Sequence, residues 1–130
     1  MQVWLEINIS NAQKSVLDIT DKSIITIGSR KDRDVVLPIP TISRKQCDIR
    51  RYRSHKSVIF DWIILDGYFG TDGKIILPKY PTMINGQTYL DFRDAKLSNG
   101  DCIIFSHQEY PNIIFNNSFE AKENDTSRHI

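Results

Sequence analysis

Hydrophobic and polar positions alternate along most of this chain. In QVWLEINIS (2–10), Val3, Leu5, Ile7 and Ile9 alternate with Glu6, Asn8 and Ser10, the period-two pattern of a strand with one buried face. KSIITIG (22–28) is a β-branched run stopped by Gly28, and DVVLP (34–38) is a short run stopped by Pro38. In QCDIRRYR (46–53), Cys47 and Ile49 share one face while Asp48 and Arg50 share the other. SVIFDWIILD (57–66) reads as two strands, or as one strand with a bulge near Asp61-Trp62. GKIIL, QTYL, DCIIFS and NIIFN continue the series.

Turn signals separate these runs: Gly28-Ser29, Pro38 to Pro40, Asp66-Gly67, Asp72-Gly73, Asn85-Gly86 and Asn99-Gly100. Only ISNAQKSVLDI (9–19) offers any helical argument. Many short strands at roughly even spacing predict an all-β fold, a sandwich of two antiparallel sheets. The predicted domain spans residues 1–116. From 117 to 130 the chain becomes polar and aperiodic, ending EAKENDTSRHI, the composition of a flexible tail or linker. That tail suggests the N-terminal domain of a longer protein.

Composition adds two constraints. The 130 residues carry 17 Lys+Arg against 16 Asp+Glu, so net charge points neither to a polyanion binder nor to a membrane surface. The average hides a bias, since nine basic and three acidic residues lie between Arg30 and Lys56. A local basic face on a near-neutral chain suits a small anion better than a long one. Direct nucleic-acid binding is therefore not expected. Cys47 and Cys102 sit in apolar strand-like runs and read as buried free thiols. With no signal peptide and no long apolar stretch visible, the expected location is nuclear or cytoplasmic.

Catalysis finds little support. His55, His107 and His129 have no local partners, and no GxSxG, HExxH or CxxC occurs. The pairs Asp32/Asp34 and Asp91/Asp94 lie in turn contexts, where they form turn hydrogen bonds. No cofactor motif is present, so a non-enzymatic role is expected. Phosphate recognition fits better: it needs a hydroxyl, convergent N–H donors and a guanidinium fork. Gly28-Ser29-Arg30 closes one predicted strand and Ser43-Arg44-Lys45 opens another, and loops at one end of a sandwich cluster together. Spacing alone favours reading both segments as plain polar loops.

IITIGSRKDRDVVLP followed by IPTISRKQCDIR resembles the forkhead-associated (FHA) domain, a β-sandwich that binds phosphothreonine peptides. That family runs through a strand ending Gly-Arg, a loop ending Asp-Ile/Val-x-Leu, then Ser-Arg-x-His and an alternating strand. Later come an Asp, an Asn-Gly-Thr and a second Asn-Gly. This chain matches at Ile27-Gly28, Asp34 to Leu37, Ser43-Arg44 and the strand from Cys47 to Arg53. Further matches are Asp66, Gly70-Thr71, Ile84-Asn85-Gly86 and KLSNGDCIIF (96–105). The resemblance covers roughly Val3 to Phe115.

The resemblance implies a phosphopeptide site in which Ser43 supplies the phosphate-binding hydroxyl and Arg44 contacts phosphate or peptide backbone. Where the family has its second arginine this chain has Ser29, with Arg30 one step later. Arg30 substitutes if the loop bends; otherwise Ser29 adds a hydroxyl and Lys31 or Lys45 supplies charge. Gln46 stands in place of a structural histidine and, like a neutral imidazole, both donates and accepts. Phe69 replaces the asparagine that would hold peptide backbone, leaving that contact to Thr71 or a neighbour. Gly28 and the Asn85-Gly86 hairpin turn are implied as structural positions. The partner implied is a phosphothreonine-containing protein or peptide, in settings such as the DNA damage response, the cell cycle, transcription or meiosis. The alternative is an FHA-like scaffold binding a partner, or itself, independently of phosphate. The connection from Asp72 to Met83 is longer than the family's usual one and reads as specialised.

Overall fold

A computed structural model describes residues 1–53, 60–87 and 94–119 of the chain. Twelve strands occur among these residues. The first sheet contains β1 (Val3–Asn8), β2 (Lys14–Asp18), β9 (Thr82–Ile84), β11 (Cys102–Phe105) and β12 (Gln108–Asn117), in the order β2-β1-β12-β11-β9. The second contains β3 (Ile24–Gly28), β4 (Val35–Val36), β5 (Cys47–Arg53), β6 (Phe60–Asp66) and β10 (Asp94–Lys96), in the order β10-β6-β5-β3-β4. A small hairpin of β7 (Tyr68–Phe69) and β8 (Ile75–Ile76) stands apart from both sheets.

The alternation read from the sequence decides which side chains meet between the sheets. Val3, Leu5 and Ile7 of β1 face Ile113 and Phe115 of β12 and Ile103 and Phe105 of β11 in one core. From the other sheet come Ile25, Ile27, Cys47, Ile49, Trp62 and Ile64. The Trp62 ring lies 6.1 Å from that of Phe115 at a tilted 55°, an edge-inclined geometry that favours aromatic pairs.

Three local expectations change. The β3–β4 pair is parallel, with Ile27 opposite Val35, so the second sheet is mixed; every other pair in the two large sheets is antiparallel. The segment with the helical pattern, 9–19, is instead a turn at Ser10–Gln13 followed by β2. Cross-strand pairing of Leu17 with Leu5 and Val16 with Glu6 overrides its weak helical preference. The apolar run before Asp66 is one strand over its described part, β6, paired with β5 residue for residue from Phe60 to Asp66. β12 reaches Asn117, and Phe119 packs against the core. The predicted strand at QTYL falls mostly outside the described residues, as do His55, Asp91, His129 and the tail from residue 120 onward.

The register brings one set of loops to a common pole. β3 ends at Gly28, β5 begins at Cys47, β6 ends at Asp66 and β9 begins at Thr82. Cys47 lies opposite both Ile27 and Asp66. The loops at 29–34, 37–46 and 67–81 therefore share that end of the molecule.

Candidate functional site

The segment after β3 and the segment before β5 are bonded to each other across the pole. Ser29 N–H donates to Ser43 O (3.0 Å), Arg30 N–H to Arg44 O (3.3 Å) and Gln46 N–H to Ile27 O (2.9 Å). Leu37 N–H returns to Gly28 O at 2.9 Å. A Cβ at position 28 would stand 2.0 Å from Arg44 O. Glycine is therefore required by the close approach of a second backbone.

Gln46 is fully buried, which excludes direct ligand contact and fits the structural role the resemblance implies. Its Oε1 accepts Ser43 N–H (2.9 Å), and its Nε2 donates to Tyr80 O (2.9 Å) and Thr82 Oγ1 (3.1 Å). Thr82 Oγ1 in turn donates to Asp66 Oδ1 at 2.6 Å, and Thr82 N–H to Asp66 Oδ2 at 3.3 Å. A buried carboxylate, a threonine and a glutamine thus run in series to the backbone of Ser43. Burial pushes the Asp66 carboxyl up to about 6, against the pull of its Thr82 hydrogen bonds. Burial likewise pushes the Cys47 thiol well up, with the nearby Asp66 charge adding to the effect. Cys47 is thus a buried core thiol, while Cys102 is half-buried.

Ser43 Oγ accepts the Lys79 N–H at 2.9 Å, leaving the hydroxyl hydrogen for another acceptor. Arg30, Ser43, Arg44 and Lys45 line one open concavity of about 410 Å³, whose opposite wall is Tyr68, Ile76, Leu77 and Pro78. Arg30 thus reaches the same concavity as Arg44, because the bend after Gly28 turns its side chain toward the groove. Its guanidinium pairs with Asp32 at 3.1 Å and is half exposed. The same Asp32 is held below the usual carboxylate range, chiefly by its hydrogen bond to Arg33 and then by the Arg30 charge. Arg44 is exposed and has no carboxylate partner among the described residues. Lys45 Nζ sits 4.6 Å over the Tyr68 ring. Among the described residues, Arg30, Arg44, Lys45 and the Ser43 hydroxyl thus line a concavity with no carboxylate in its wall, an arrangement that can hold a compact dianion.

The other sequence-derived candidates lie elsewhere. Ser29 is half-buried, bonded through its backbone and not part of the groove wall. Thr71 is exposed at the tip of the β7–β8 turn, closed by Gly70 N–H to Lys74 O (2.8 Å), and does not line the groove. Lys31 is exposed and also outside that wall. Asn85 and Gly86 occupy the far end of β9, with φ of 52° and 77°. Asn85 Oδ1 accepts Cys102 N–H and its Nδ2 donates to Asp101, both at 2.9 Å, so this turn is built for shape. Lys79, Thr82, Tyr68 and the Ile76–Pro78 wall carried no local signal, since Lys79 and Thr82 meet Ser43 and Gln46 across 36 positions of sequence. His107 lies at a turn with φ of 59°. Among the described residues no cluster could hold a metal and no helix is long and apolar enough to cross a membrane.

A sequence model of the FHA domain matches residues 25–106, well over half of the chain and all of the site. The chain belongs to the FHA domain family. Solved structures agree on the fold. The Slr1951 protein from Synechocystis sp. superposes with a TM-score of 0.68 at 21% identity, covering 89% of this chain and 98% of that one. Full-length yeast Pml1p gives 0.69 at 20% identity, covering 88% and 81%. The yeast Dun1 FHA domain, solved in complex with a doubly phosphorylated (pT) peptide derived from Rad53 SCD1, gives 0.59 at 22% identity, covering 89% and 74%. No curated protein sequence matches.

Proposed function

We propose that this FHA domain is a phosphothreonine-peptide reader that mediates phosphorylation-dependent protein–protein interaction. The observation that carries the reading is the convergence of Arg30, Ser43, Arg44 and Lys45 on one carboxylate-free concavity, with the Ser43 hydroxyl hydrogen uncommitted. In the proposed complex Ser43 Oγ–H donates to a phosphate oxygen. The Arg44 fork and Arg30 neutralise the dianion, and Lys45 supports them from its place over Tyr68. Membership of the family and the phosphopeptide complex of the Dun1 domain support this reading. Its proposed setting is kinase-driven assembly in the nucleus or cytoplasm, of the kind used in damage signalling, the cell cycle or meiosis. No catalytic step is assigned to the domain.

A second reading is favoured by the exposed apolar hairpin. Phe69, Ile76 and Leu77 offer a surface through which the scaffold could bind a protein, or a second copy, without phosphate. Titration of phosphothreonine peptide pools and their unphosphorylated counterparts separates the two. The phosphate reading expects binding only to the phosphorylated pools, with Ser43→Ala and Arg44→Ala each weakening it tenfold or more, about 1.4 kcal/mol or above for a charge-assisted bond. Equal binding of both pools overturns it in favour of the scaffold.

A further inference from the structure

β2 is the outermost strand of the first sheet, and among the described residues nothing pairs with its second edge. The other sheet edges are short: β4 has two residues, β9 and β10 three each. Bonding to β1 fixes which groups the β2 edge presents. Ile9 N–H donates to Gln13 O and Ile19 N–H to Val3 O, both at 2.9 Å. The register between them pairs Leu5 with Leu17 and Ile7 with Ser15, so bonds to β1 fall on alternate residues of β2. The N–H and C=O groups of Lys14, Val16 and Asp18 therefore point off the edge of the sheet.

A free row of backbone donors and acceptors is a template for a further strand, and edges are usually blunted by covering, bulging or shortness. β2 uses none of these. It pairs with β1 in unbroken register, and Val16 at its centre is 68% exposed. Its sequence, Lys14-Ser15-Val16-Leu17-Asp18, is also self-complementary when read antiparallel. A two-fold axis at Val16 sets Val16 against Val16, and Lys14 of each copy against Asp18 of the other. These are the residues whose backbone groups point outward, so that register makes each of them a hydrogen-bonded pair. Opposed side chains then stand roughly 5 Å apart at Cβ, within reach of an ion pair. Neither Lys14 nor Asp18 has an ion-pair partner of its own among the described residues. Parallel pairing sets Lys14 beside Lys14 and Asp18 beside Asp18, and a shift of two residues sets Lys14 beside Val16. Charge thus selects one register from those the backbone allows.

We infer that the β2 edge is a docking surface for a second copy of this chain, joining two five-stranded sheets through an antiparallel β2–β2 ladder. None of the residues in that ladder lines the cationic concavity, and the contact is separate from the Phe69–Leu77 hairpin. It needs no phosphate to form. The two-fold axis runs the paired strands in opposite directions, so the two grooves open at opposite ends of the pair. On the phosphate reading, such a pair bridges two phosphorylated chains instead of gripping neighbouring sites on one short peptide.

The test is sedimentation of the whole chain together with amide exchange read by NMR. A contact this small is expected to be weak, with a Kd on the order of 100 μM, so the chain should pass from monomer to dimer between about 10 μM and about 1 mM. Across that range, protection at the Lys14, Val16 and Asp18 amides is expected to rise about fourfold as the share of free edge falls. Ser15 and Leu17, bonded to β1 in both states, should stay unchanged. Val16→Pro removes an outward N–H and no bond to β1, so it is expected to keep the fold and abolish the dimer. Lys14→Asp and Asp18→Lys are each expected to be monomeric, and an equimolar mixture of the two to dimerise, because charges then match across the ladder. A wild-type chain still monomeric at the top of the range overturns the inference. So does a dimer whose β2 amides gain no protection, or one that survives Val16→Pro, since the contact then lies on another surface. The wild-type amide pattern decides without any variant, and none of these outcomes bears on the phosphate reading, which peptide titration decides.

Discussion

Asp66 is the residue on which the phosphate-facing loop ultimately rests, and it carries a thermodynamic signature. It is 5% exposed, and its folded-state value of about 6 lies above the ordinary aspartate value of 3.8. Between about pH 4 and pH 6 the folded chain keeps a proton that the unfolded chain has released. Stability therefore falls as pH rises through that window, and the full cost, on the order of 3 kcal/mol, is present above it. Exposed carboxylates held low, such as Asp18 and Asp32, act in the opposite direction, so the informative quantity is a difference. Urea unfolding across this range should show wild-type stability declining relative to Asp66→Asn as pH rises, and a flat difference would show that the carboxyl is not destabilised by burial. Gln46 is tied into the fold from three sides. It uses one acceptor and two donor bonds to join Ser43, Tyr80 and Thr82, a set that a neutral imidazole, with one donor and one acceptor, cannot make in full.

At the scale of elements, the contrast between two turns separates shape from recognition. Gly28→Ala forces a methyl group against Arg44 O and must displace the 43–46 segment. It is expected to cost about 3 kcal/mol and to weaken phosphopeptide binding as well. Asn85→Ala loses hydrogen bonds to Cys102 and Asp101 and places alanine at a left-handed φ of 52°, for a cost of about 2 kcal/mol. That change should leave phosphopeptide affinity as it was, because the turn sits at the other end of β9; calorimetric titration alongside denaturant unfolding checks both. Most strands were legible in the sequence because one buried face imposes strict alternation, as in Val3, Leu5 and Ile7. The parallel β3–β4 pair was not, since two residues carry no direction. β2 was misread because Lys14–Asp18 is an exposed edge strand with almost no buried face. Ser43, Arg44 and Gly28 could be picked out because their motif is contiguous. The Ile76–Pro78 wall could not, because the fold alone brings it opposite Arg30.

At the scale of the molecule, charge is concentrated where net charge of +1 gives no warning of it. Arg30, Arg44 and Lys45 face one groove, and Lys31 and Arg33 lie in the adjoining loop. Such a cluster accelerates the approach of a dianion, and salt screens it over about 8 Å at physiological ionic strength. Stopped-flow association with a phosphopeptide should slow as salt rises, with a smaller change in dissociation, because contacts within the closed groove are screened less. An association rate indifferent to salt would mean that the cations hold the ligand without steering it.

The pairing of β1 with β12 places Val3 beside Asn117, with Gln2 and Ser118 bonded to each other just beyond. That junction lies at the pole opposite Ser43, where Asn8 and Asn112 mark the near end of the same two strands. Chain attached at either end, or at both, leaves side by side from the back of the domain. A tether can therefore raise the local concentration of the groove near a second binding module without lying across its mouth, and two such domains strung on one chain would each keep an open face.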